Sequence, residues 1–157
     1  MVTVYPVFDV RTLPRVDIDF MNRTHLEEVE LVNQVGDMMQ RWQSASSNAS
    51  GSVRSIETLL DHWLEHARAH FARENALMQE YAFPALAVHA EEHRAALALL
   101  QERVSDWRRG HDFEPLERFV FHRWPKWFNN HVITMDMMTA RYVVMNGYHP
   151  YLSEDPV

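Results

Sequence analysis

The chain has 157 residues, 46% of them hydrophobic and 24% charged, with a net charge of −7 when histidine is neutral. That is enough apolar material for one domain with a sizeable core, and it excludes a disordered chain. The acidic balance argues against a general binder of nucleic acid or anionic membranes, which needs basic surface. With no cysteine, disulfides, iron–sulfur clusters and zinc–thiolate sites are excluded. The first ten residues lack the basic start and apolar core of a secretory signal, and no apolar run is long enough to span a bilayer. A soluble, cytoplasmic protein is the expectation, with no nucleic-acid or membrane partner. Ten histidines are many for this length; nine methionines read as core filler.

In chain order, residues 1–21 hold Pro6 and Pro14 and no helical period, and read as an extended arm. Asn22 is placed to cap a first helix, with Met21 and Leu26 spaced for a hydrophobic staple. That helix runs to about Trp42, on a stripe of His25, Val29, Val32, Val35 or Gly36, and Met39. Residues 43–52 are small and polar and read as a loop, with Ser52 or Ser55 as the next cap. The second helix runs to about Tyr81, with Ile56, Leu59, Trp63, Ala67, His70, Glu74, Leu77 and Tyr81 on one face. Pro84 suits the first turn of a third helix, whose stripe is His89, His93, Leu97, Leu100, Val104 and Trp107 and whose stop is Gly110. Glu114-Pro115 opens a fourth helix ending near Gly147. Pro125 inside it predicts a kink or short break. Residues 148–157 read as an irregular tail. Four amphipathic helices with short joints and no strand signal predict an all-α, antiparallel up-down four-helix bundle over 22–147, behind an extended N-terminal arm.

Each predicted helix carries a potential metal ligand on its apolar face. The first offers His25, the second His70 and Glu74, the third His89 and His93, and the fourth His131 and Asp136. Residues four apart lie one above the other on a helix; five apart still leaves a flexible carboxylate within reach. Each piece alone has an ordinary reading, as a surface pair or a satisfied histidine. Their shared phase is what matters, because seven such groups facing one dry core are costly unless something binds them. Neutral imidazole suits iron, and carboxylates suit bridging two metals.

These residues resemble the hemerythrin family over roughly Met21 to Tyr142. His70-Phe-Ala-Arg-Glu74-Asn-Ala-Leu-Met78 is close to the family's HFxxEExxM. Phe83-Pro84 stands where the family usually has Tyr-Pro. The HxxxH of His89 and His93 follows, and Trp127-Phe-Asn-Asn-His131-Val-Ile-Thr-Met-Asp136 is similar to the family's WxxxHxxxxD. The resemblance implies two iron ions with a bridging oxo or hydroxo. His89, His93 and His131 would hold one, His25 and His70 the other, and Glu74 and Asp136 would bridge both. It implies reversible binding of molecular oxygen at the position left open on the iron of His25 and His70. Phe71, Trp127, Phe128 and Val132 sit beside these residues and would wall the pocket.

The pattern departs from the family at Asn75, where a glutamate is usual, and at Glu28, where an apolar residue commonly faces the oxygen pocket. Glu28 either points to a solvated rim or enters that pocket at the open position. His62 and His66 extend the stripe of His70, as a partly exposed polar end of the bundle or as outer hydrogen-bond partners. His111, His122 and His149 have no assigned role. The rival functions are a di-iron peroxidase or a nitric-oxide- or peroxide-handling enzyme on the same ligands. A zinc peptidase would use the HxxEH matches His62–His66 and His89–His93, but leaves His131 and Asp136 unexplained. No Glu-x-x-His pair supports a ferritin-like oxidase. The resemblance implies an oxygen carrier, store or delivery protein.

Overall fold

The computed structural model describes residues 3–44 and 49–149. They form four long helices and, among the described residues, no strand: α1 (Asp19–Ser44), α2 (Ala49–Glu80), α3 (Leu86–Gly110) and a composite α4 over 113–145. α2 packs against α1 and α3, while α4 closes the bundle against α1 and α3. Short joints between long helices make neighbours antiparallel.

The stripes account for the packing. Val29, Val32, Val35 and Met39 of α1 are fully buried, as are Ile56, Leu60 and Trp63 of α2. Each such side chain contributes about 1.5–3 kcal/mol of burial relative to exposure. On α2 the stripe runs through Leu60 rather than the half-buried Leu59. The helix ends on Ala82, a non-glycine residue at φ 50°, while Phe83 N–H bonds back to the Met78 carbonyl at 2.9 Å.

α4 is one continuous run with two wide turns. The segments are Phe113–Arg118, a π-turn at Phe119–Arg123, Trp124–His131, a second π-turn at Val132–Asp136, and Met137–Met145. The first lies directly before Pro125. Trp124 N–H reaches the Phe119 carbonyl, five residues back. An extra residue in the turn relieves the clash between the proline ring and the carbonyl four back, so the helix widens instead of breaking.

Three side-chain amides tie the arm to α1. Asn33 receives Phe8 N–H and donates to its carbonyl, at 2.9 and 3.0 Å, and Gln40 does the same for Tyr5, at 3.0 and 2.9 Å. Asn22 does it for Val16, both at 2.8 Å. Extended backbone that packs on a helix needs such partners, because buried N–H and C=O groups are rarely left unpaired. Gly36 lies where the arm crosses α1. A Cβ there would meet Val7 Cγ2 at 2.4 Å and Phe121 Cζ at 3.1 Å.

These contacts correct several expected boundaries. α1 begins at Asp19, so Asn22 is an anchor for the arm and not a cap, and Met21 is buried while Leu26 is exposed, so they form no staple. Ser52 and Ser55 lie inside α2, which starts at Ala49. Gly110 is the last residue of α3, and the left-handed stop is His111, at φ 52° with its N–H on the Trp107 carbonyl. Of the expected loop, 45–48 lie outside the described residues, as do 150–157 of the expected tail. No helix among the described residues is long and apolar enough to cross a membrane.

Candidate metal centre

His25, His70, Glu74, His89, His93, His131 and Asp136 are all buried, each no more than 4% exposed. Their donor atoms converge in two groups that share both carboxylates: Glu74, His89, His93, His131 and Asp136 in one, and His25, His70, Glu74 and Asp136 in the other. Each carboxylate turns one oxygen to each group. Asp136 Oδ1 is 3.0 Å from both His89 Nε2 and His131 Nε2, while Oδ2 is 2.9 Å from His25 Nε2. Glu74 Oε1 is 2.9 Å from His70 Nε2 and 3.7 Å from His25 Nε2, and Oε2 is 3.6 Å from His93 Nε2.

The backbone of α4 makes this possible. In a regular α-helix, residues five apart differ by about 140° in direction. The π-turn at Val132–Asp136 takes up the extra residue, so His131 and Asp136 share a face. The register therefore comes from the widened turn and not from a flexible carboxylate. Such turns recur at functional sites.

The imidazole nitrogens divide into two sets. The Nδ1 atoms face outward to oxygen acceptors: His89 to Thr139 Oγ1, His93 to Asn75 Oδ1 and His131 to Glu92 Oε1, each at 2.8 Å, and His70 to Glu28 Oε1 at 3.2 Å. The proton then belongs on Nδ1, and Nε2 presents a lone pair inward. Three of those Nε2 atoms crowd together, with His89 and His93 at 3.2 and 3.1 Å from His131. Lone pairs this close repel unless a cation lies among them. Metal–nitrogen bonds of about 2.1 Å at right angles put neighbouring ligands about 3.0 Å apart, which is this spacing. His25 Nε2, both Asp136 oxygens and Glu74 Oε2 lack hydrogen-bond geometry to any described group, although charged partners stand close by. These orphaned atoms fit a pair of shared cations.

Aromatic rings hold the imidazoles. Phe71 stacks on His93 (centroids 4.2 Å apart, planes at 13°) and Trp127 on His131 (4.7 Å, 19°). Phe128 meets His25 with its plane perpendicular, centroids 5.7 Å apart, and the arm's Phe8 meets Phe128 in the same way at 5.9 Å. Val132 is fully buried beside them.

Electrostatics match a site built for cations. Burial would depress the His25 imidazolium, but Asp136 and Glu74 outweigh burial and hold its pKa up at about 9. Glu74 and Glu28 hold His70 up against burial, and Asp136, Glu92 and Glu74 do the same for His131. His93 goes the other way, pushed down to about 3 by burial that Glu74 only partly opposes. Asp136 stays ionised despite burial, because His131, His25 and His89 surround it. Two negative charges concentrated in a dry core call for positive charge, as protons or as metal.

A family model for the hemerythrin HHE cation binding domain matches residues 16–141. The chain belongs to the hemerythrin family. It is 29% identical over 122 residues to a bacteriohemerythrin of Aquifex aeolicus (strain VF5), an alignment covering 78% of this chain and 86% of that one. It is 36% identical over 100 residues to a bacteriohemerythrin of Ralstonia nicotianae (strain ATCC BAA-1114 / GMI1000), covering 63% and 71%. No solved structure gives a significant match.

Within this hemerythrin domain, Glu28 occupies neither place expected of it. It is 1% exposed, so it is not on the rim, and it stands at the outer edge of His70, outside both inward-facing donor groups. Its Oε1 also meets Nδ1 of the half-buried His66 at 3.2 Å, whose Nε2 reaches the exposed Glu27 at 3.2 Å. Burial opposes the Glu28 carboxylate, but His70 and His66 hold its pKa down at about 2. His62 is exposed. His111 pairs with Glu57. Sequence reasoning missed Thr139 and Glu92 and undervalued Asn75. Each serves a histidine far away in the chain, with no local period to mark it. The Thr139 hydroxyl in turn points to Met78 Sδ at 3.8 Å, which ties the family's methionine to the same network.

Proposed function

We propose that this hemerythrin domain holds two iron ions and binds molecular oxygen reversibly. His89, His93 and His131 hold one ion, His25 and His70 the other, with Glu74 and Asp136 across both. One observation carries this reading: two donor groups share both carboxylates, one oxygen to each side, yet hold unequal numbers of histidines. The poorer group leaves room for a small ligand. A pair of ferrous ions held there would supply the two electrons that dioxygen takes up, and imidazole together with carboxylate suits iron. The residues do the rest. Thr139, Asn75, Glu92 and Glu28 fix the imidazoles in the ligating tautomer, and Phe71, Trp127, Phe128 and Val132 keep the surroundings apolar.

The test is anaerobic loading with ferrous iron, elemental analysis, and visible spectra before air, after air and after removal of oxygen. Two irons per chain and a spectrum that returns on deoxygenation support the proposal; one metal or none refutes it. Glu28, a buried carboxylate held against His70, favours a second reading, turnover of peroxide on the same metals. Irreversible oxidation in air with sustained peroxide consumption would establish that reading instead.

A further inference from the structure

Beside the metal centre lies a separate cavity of about 170 Å³. It runs along two helical turns. Trp63, Ala67 and Phe71 line it from α2, Ala96 and Leu100 from α3, and Trp124 and Trp127 from α4. Eight residues of helix, from Trp63 to Phe71, span about 12 Å. The metal end is marked by Phe71 and Trp127, which stack on His93 and His131. Ala95 and Arg123 in its lining are exposed and Glu92 is half-buried, so the cavity opens between α3 and α4.

Size and chemistry restrict what fits. An apolar cavity of about 150 Å³ takes benzene. Dioxygen needs far less, and drug-sized ligands need about 300 Å³ or more. Five aromatic rings, those of Trp63, Phe71, Phe119, Trp124 and Trp127, stand in the wall, which favours edge and face contact with another ring. The buried charged group in the lining is Glu28. Both imidazoles engage the same oxygen of Glu28, Oε1, which leaves Oε2 as the acceptor for a donor in the cavity. Glu92 and Arg123 both stand at the mouth, so it is the buried Glu28 carboxylate that disfavours anionic guests.

We infer that this cavity is a binding site for a neutral, single-ring aromatic molecule bearing one hydrogen-bond donor, the chemistry of phenol, with the ring among the tryptophans and the donor on Glu28. The site does not depend on which metal the centre holds or on what that metal does.

The experiment is calorimetric titration of the metal-loaded full chain with phenol, benzene and benzoate, with metal content measured on the same samples. Phenol should saturate one site per chain with a Kd near or below about 1 mM. Benzene should bind about tenfold more weakly, for want of a charge-assisted hydrogen bond, and benzoate more weakly still. Ala96→Phe fills the cavity and should abolish phenol binding. Glu28→Leu should bring phenol down to the affinity of benzene. No saturable phenol binding up to about 10 mM, unchanged binding in Ala96→Phe, or benzene binding as tightly as phenol overturns the inference. Iron content other than two per chain bears on the proposed function alone, since phenol binding is scored independently.

Discussion

Replacing Thr139 with valine separates the outer support of the centre from the ligands themselves. Thr139 is fully buried, and its hydroxyl oxygen lies 2.8 Å from His89 Nδ1. Valine keeps the branched shape and removes the hydroxyl, leaving a buried imidazole N–H without its acceptor and Met78 Sδ without its weak donor. That costs about 1–3 kcal/mol. For a domain of this size each kcal/mol lowers Tm by about 2–4 °C, so the metal-loaded variant should melt about 2–12 °C lower. His89 also loses the contact that fixes its tautomer, and loss of such outer partners typically weakens metal binding about 10- to 100-fold. The assay is competitive metal titration against a chelator of known affinity, alongside thermal melts with and without metal. Thr139→Ser, which retains the hydroxyl, should recover most of both losses. If Thr139→Val binds metal within about twofold of the parent, the hydroxyl does not orient His89 and the assignment of outer partners is wrong.

Glu74→Ala or Asp136→Ala should each lose at least one of two metals by elemental analysis, because each carboxylate faces both donor groups; retention of both metals in either variant contradicts bridging. The metal-free chain should be most stable near pH 6.5. His25, raised to about 9, contributes stability that is complete below its unfolded value and lost as pH rises through 9. His93, lowered to about 3, favours the unfolded chain as pH falls from 6.5 toward 3, and thermal melts across pH 3–10 check both limbs. At neutral pH metal should raise Tm well above that of the metal-free chain, since it partners the orphaned oxygens and His25 Nε2; equal melting temperatures would mean these groups already satisfy one another. Gly36→Ala gains about 1 kcal/mol of helix propensity but drives a Cβ to 2.4 Å from Val7 Cγ2, an overpacking cost of about 1–3 kcal/mol. Its Tm should fall, and Val7→Ala in the same chain should restore it; a raised Tm in the single variant would show that the arm yields freely.

Helix phase, together with the spacing of the family's motifs, singled out the residues that meet at the centre. His70 with Glu74, and His89 with His93, are four apart, and a helix places such pairs together wherever it sits. The core valines of α1 and the stripe of α3 follow from the same local geometry. Periodicity could not supply whatever depends on how one helix is rotated and shifted against another. Thr139, Asn75 and Glu92 become partners of His89, His93 and His131 across 50, 18 and 39 positions of chain. Glu28 reached neither rim nor open position because α1 turns it toward His66 and His70. Asn22, read as a cap, became an anchor once Val16 lay against it. The register of His131 and Asp136 rests on a widened turn within one helix. The 3.6-residue period that reveals a helix also hides such a turn, since the turn is a departure from that period, selected by the packing around it.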